Sequence, residues 1–121
     1  MDVDSFEAIV AEALDTLPNE FARHMNNIEV QIELRPNREQ RRATGLKPWQ
    51  TMYGLYQGVP LTERVGGGPL LPDLITIFQE PLERDFPSRA ALRDQIRRTV
   101  LHEIAHFFGI SDARLHELDA Y

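Results

Sequence analysis

His102-Glu103-Ile104-Ala105-His106-Phe107-Phe108-Gly109-Ile110-Ser111-Asp112, near the C-terminal end of the chain, reads as H-E-x-x-H-x-x-G-x-x-D. On a helix, histidines four residues apart sit about 40° apart around the axis and roughly 6 Å apart along it, so both imidazoles can reach one ion. Glu103 follows the first histidine directly and is placed to take a proton from water that the ion activates. Gly109 can adopt the left-handed conformation that ends a helix, which lets the chain turn and bring Asp112 back toward the metal. His102, His106 and Asp112 are therefore candidate Zn²⁺ ligands, and Glu103 is the candidate general base. Taken singly, each has an ordinary role: a buried histidine as a core group, Gly109 as a helix end, Asp112 as an N-cap. Their joint spacing is what points to a metal.

The helix that carries the motif supports the same reading. Ser88, just after Pro87, is a suitable N-cap, and Leu92, Ile96, Val100, Ile104 and Phe107 then recur at spacings of four and three, a stripe expected to face the core. Gln95, Thr99, His102 and His106 form a second stripe, with Glu103 between the two. Only the arc of Arg93, Asp94, Arg97 and Arg98 is strongly polar, so one side of the helix is expected to be buried and another to line a site.

Composition bounds the rest. A chain of 121 residues, 42% hydrophobic, suits one compact domain over residues 1–121. The formal net charge of −6 argues against general nucleic-acid affinity, and the cluster of Arg35, Arg38, Arg41, Arg42 and Lys47 reads as a solvated loop. No apolar run approaches the roughly 20 residues that span a bilayer, so no membrane partner is expected and the location is expected to be cytoplasmic. With no cysteine, any metal must use nitrogen and oxygen donors.

Phe6, Ile9, Val10, Ala13, Leu14 and Leu17 mark an amphipathic N-terminal helix from about residue 4 to Pro18. Ile28, Val30, Ile32 and Leu34 alternate with Glu29, Gln31 and Glu33, predicting a strand with one buried face that ends at Pro36 and Asn37. A mobile polar loop is expected from there to about Trp49. Met52 to Gln57 suits a strand, Val65-Gly66-Gly67-Gly68-Pro69 a turn or loop, and Leu74 to Phe78 a third strand. A short helix is expected from Ala113 to Ala120. The class is α+β: a small mixed β-sheet packed on the active-site helix, with an N-terminal helix and a short C-terminal helix.

The chain resembles the minimal zincins, small bacterial zincin-like metallopeptidase domains. The resemblance rests on the HExxHxxGxxD motif together with Gly54-Leu55-Tyr56-Gln57-Gly58-Val59-Pro60-Leu61-Thr62-Glu63-Arg64, with Leu71-Pro72-Asp73-Leu74-Ile75-Thr76-Ile77-Phe78, and with Thr99-Val100-Leu101 leading into the motif. It implies an α+β zincin core with His102, His106 and Asp112 as zinc ligands and Glu103 as catalytic base. The methionine turn of metzincins is absent, since nine residues follow Asp112 and none is methionine. Glu117 lies too close to His106 for the downstream glutamate of gluzincins, while His116 is a rival to Asp112 as third ligand.

Two functions follow as expectations. One is a zinc-dependent peptidase that hydrolyses an extended peptide or protein substrate, laid along a sheet edge such as Leu74 to Phe78. The other is a non-catalytic, zinc-stabilised binding or regulatory domain. Glu103 favours the first, because a structural zinc needs no base, and the small size of the chain favours the second. Candidate oxyanion donors are Tyr53, Tyr56, Arg64 and His116, and Glu63 or Asp73 are candidate acceptors behind the zinc-binding histidines.

Overall fold

The computed structural model describes residues 1–58 and 71–118. Helix α1 (Val3–Asp15) starts where the Asp2 side chain accepts from the Ser5 N–H, and it buries Phe6, Ile9, Val10 and Ala13. A short helix α2 (Asn19–Ala22) and a 3₁₀ turn (Arg23–Asn27) lead into strand β1 (Ile28–Glu33). Helix α3 (Arg38–Ala43) follows, then β2 (Gly54–Gln57), β3 (Asp73–Phe78) and α4 (Gln79–Asp85). The 20-residue helix α5 (Arg89–Phe108) carries the motif, and α6 (Asp112–Glu117) closes the described chain.

The sheet has the order β1-β3-β2, with β1 parallel and β2 antiparallel to β3. The mixed sheet on a long helix is as expected, but β3 is its central strand. It is hydrogen-bonded on both sides, so Leu74 to Phe78 offers no edge to a substrate. Burial explains its place: Ile75, Thr76, Ile77 and Phe78 are all inaccessible to solvent, so both faces are covered, as in a strand inside a sheet. Thr76 is tolerated there because its hydroxyl accepts from Gln31 Nε2 at 2.9 Å across the β1 pairing.

A second difference concerns the segment after β1, where a loop was expected. Asn37 and Gln40 form a reciprocal capping box at 2.7 and 2.8 Å that starts α3. The helix ends in a Schellman motif: the Gly45 N–H reaches the Arg42 carbonyl and the Leu46 N–H reaches back to Arg41. Gln40, itself buried, also donates to Glu33 on β1 at 3.3 Å. The segment is therefore a fixed wall beside the sheet.

The core gathers α1, β1, β3 and α5, with Leu82 from α4 and Leu115 from α6. Leu92, Ile96, Val100 and Ile104 face it as expected, joined by Leu101, whereas Phe107 is 48% exposed. There Phe107 packs over β2 rather than into the core, stacking on Tyr56 with ring centroids 4.1 Å apart. The turn at Val65 to Pro69 lies outside the described residues.

Helix α5 lies unusually close to β2. A Cβ on Gly54 would sit 2.6 Å from the Thr99 methyl and 3.3 Å from the Thr76 carbonyl. Both neighbours are buried and held, so strand and helix would have to part. Gly54→Ala is expected to destabilise the protein by about 1–3 kcal/mol, the range for overpacking a filled interior, although alanine is otherwise the better strand residue. Denaturant unfolding tests this; a stability equal to wild type would mean that the contact yields freely.

Candidate active site

His102, Glu103 and His106 lie on the last two turns of α5, whose start is fixed by the Ser88 hydroxyl accepting from the Ala91 N–H. Its end is fixed by Gly109 at φ 72°, with the Ile110 N–H reaching the Ala105 carbonyl at 2.8 Å. Within those limits His102 and His106 come to one side, ring centroids 5.9 Å apart and planes at 75°. His102 is half-buried and His106 exposed, so the pair looks outward from the core.

Glu103, half-buried, stands beside them. Burial pushes its carboxyl above the ordinary carboxylate range, an effect that the neighbouring His106 charge opposes. His102 and Glu103 line an open hollow of about 440 Å³, whose other walls are Gln95 and Thr99 of α5, Gly54 and Leu55 of β2, and Thr44, Leu46 and Thr51 to Tyr53. Gln95, Thr99 and His102 of the polar stripe expected on α5 therefore line a cleft, of which His106 is not a wall, with Gln95 donating to Thr99 Oγ1 at 3.3 Å. The opposite wall, with Leu46, Met52 and Leu55, was not anticipated. The Asn37-x-x-Gln40 box and the Gly45 helix end mark the helix that precedes this wall, but no local pattern places Leu46 in it.

Asp112 opens α6 with an exposed side chain that makes no hydrogen bond or ion pair among the described residues. The N-cap there is Ser111, whose hydroxyl accepts from the Arg114 N–H at 3.2 Å. Helix α6 is anchored by buried Leu115 and by Arg114, which pairs with Glu20 of α2. His116 is exposed on the same helix. Among the described residues, no three histidine, aspartate or glutamate side chains are gathered closely enough to hold an ion. The two imidazoles on successive turns nevertheless suit two legs of a nitrogen-oxygen zinc site.

Tyr53, just before β2, and Tyr56, within it, are committed to carboxylates. Tyr53 donates to Asp85 at 2.6 Å, and burial together with that bond raises its phenol to about 12. Asp85 also receives both the Nε and Nη2 of Arg84, which with Tyr53 holds it down at about 2. Tyr56 donates to buried Asp73 at 2.6 Å. Glu63 and Arg64 lie outside the described residues.

The sequence profile of a family described as zincin-like metallopeptidase matches residues 25–121. The chain belongs to that family. The match takes in everything from the 3₁₀ turn onward, so α1 precedes it while still packing into the same core. Membership implies a metal cofactor, typically zinc. No curated protein matches the chain. No described helix is long and apolar enough to cross a membrane.

Proposed function

We propose that the protein is a zinc-dependent peptidase in which His102, His106 and Asp112 hold the ion and Glu103 is the general base. The observation that carries this reading is the placement of Glu103: a half-buried carboxylate next to the histidine pair, in the wall of a cleft, where a structural zinc would need none. A zinc ion supplies Lewis acidity, lowering the pKa of water toward about 7 and polarising a carbonyl. Glu103 accepts the proton of the attacking water on its carboxylate oxygen and passes a proton to the departing amine. Its raised pKa suits both steps, because a base closer to neutral holds and releases a proton more readily.

Substrate enters this reading as an extended strand. Among the described residues β2 is an edge, its pairing with β3 occupying one side only, and Gly54 and Leu55 stand in the wall of the cleft. A peptide laid on that edge would place alternate side chains into the hollow bounded by Leu46, Met52 and Leu55.

Zinc-loaded protein is expected to cleave members of an unstructured peptide library, to stop on chelation and to recover when zinc is returned. Tight zinc binding with no cleavage anywhere in a diverse library would instead favour a zinc-stabilised binding domain.

A further inference from the structure

The segment from Arg35 to Lys47 holds five cationic side chains against one carboxylate, Glu39, a net of +4 in a chain whose total is −6. Among the described residues only Arg35 of these is neutralised by a carboxylate, Glu80 at 3.1 Å. Arg41 instead donates to the Lys47 and Pro48 carbonyls, which pins the loop after α3, and Arg38, Arg42 and Lys47 have no carboxylate partner among the described residues. Helix α3 carries Arg38 and Arg42 four residues apart, a spacing at which like charges repel. That repulsion is left standing on a segment whose backbone is held by a capping box, a Schellman turn and the Arg41 bonds.

The same segment presents Trp49, the single tryptophan of the chain, at 79% exposure. It lies on a second hollow of about 280 Å³ with Arg35, Arg41 and Arg84 in its walls. Thr51 and Met52 line both this hollow and the cleft lined by His102 and Glu103. The two therefore adjoin one short stretch of backbone, and Thr44 and Leu46 of the basic segment stand in the wall of the cleft itself. Glu80 lies in the walls of the second hollow and pairs with Arg35, so the cations free to meet a ligand are Arg38, Arg42 and Lys47 on the exposed side of the segment, beside an exposed tryptophan of the kind that anchors binding surfaces.

We infer that the face from Arg38 to Trp49 adjoins the catalytic cleft and receives an acidic stretch of the peptide substrate, a few residues from the bond to be cleaved. This rests on the peptidase reading of the cleft and specifies its substrate class. The charge complement is local: an acidic peptide is repelled by the chain as a whole and attracted here, so the segment selects orientation as well as partner. Trp49 supplies a flat apolar contact, and the unpaired arginines supply forked donors for carboxylates.

The test uses zinc-loaded Glu103→Gln protein and two synthetic peptides that share an apolar stretch, one continuing into glutamates and the other into glutamines. Trp49 fluorescence reads binding. The acidic peptide is expected to bind about tenfold or more tighter at low ionic strength, to shift Trp49 emission, and to lose its advantage as salt rises. Replacing Arg38, Arg42 and Lys47 together by glutamine is expected to erase the difference while leaving the neutral peptide's affinity unchanged; none of these three side chains holds the fold together. Equal affinity for the two peptides would overturn the inference and leave the peptidase reading standing. Binding of neither would remove both. Tight acidic binding without cleavage by wild type would keep the surface and remove the peptidase. A single-stranded oligonucleotide that bound more tightly than the acidic peptide would overturn the inference in favour of a nucleic-acid surface.

Discussion

Glu103→Gln is expected to keep its zinc and its fold while losing peptide hydrolysis by a factor of about 10² or more. The amide has the shape of the carboxylate but cannot take a proton from water, so the loss falls on the transition state. Stability should not suffer, because the carboxyl is half-buried and its burial disfavours the charged form. A neutral amide removes that cost. The measurement is kcat/KM on the best peptide of a library, with zinc content determined on the same sample. Equal rates for wild type and variant would assign the cleavage to a contaminant.

The next largest effect is expected at Asp112. Asp112→Ala should weaken zinc binding by more than about 100-fold, the upper end of what losing a mere supporting contact costs, whereas His116→Ala should leave it nearly intact. The Asp112 carboxylate follows directly after the left-handed turn at Gly109 and is committed to no other group among the described residues. Its removal spares the fold, since Ser111 caps α6 and Leu115 with the Arg114 to Glu20 pair holds that helix down. A zinc competition titration ranks the two variants, and the reverse order would transfer the third-ligand role to His116.

What the sequence made legible was what depends on local spacing. The Ser88 cap, the four buried positions from Leu92 to Ile104 and the Gly109 stop follow from one helix's own periodicity. Alternation in Ile28 to Glu33 marked β1 for the same reason. Strand order was misread because periodicity shows which face is buried and not which neighbour is paired. The cue was the unbroken apolar run in β3, where only Thr76 interrupts and even it is buried. Phe107 obeyed the helical period yet left the core to stack on Tyr56 of β2, since a period cannot say what lies beneath each turn of a helix. Helix α4 was missed although Pro81 falls in its first turn, where the absent N–H has no carbonyl to reach. The hollow opposite α5 was invisible for a different reason: Leu46, Met52 and Leu55 line it together with Thr99 across the close approach of β2 to α5 at Gly54, which no local pattern records.

Every chemical step above depends on an ion held at the α5 histidines, so the zinc content of protein purified with zinc available is the most direct test. Metal bound only by the folded chain also stabilises it, which makes the site visible in bulk protein. The account predicts about one zinc per chain, lost when His102 and His106 are replaced by alanine. Protein that carries no stoichiometric transition metal, or whose zinc is unaffected by that double replacement, would contradict it.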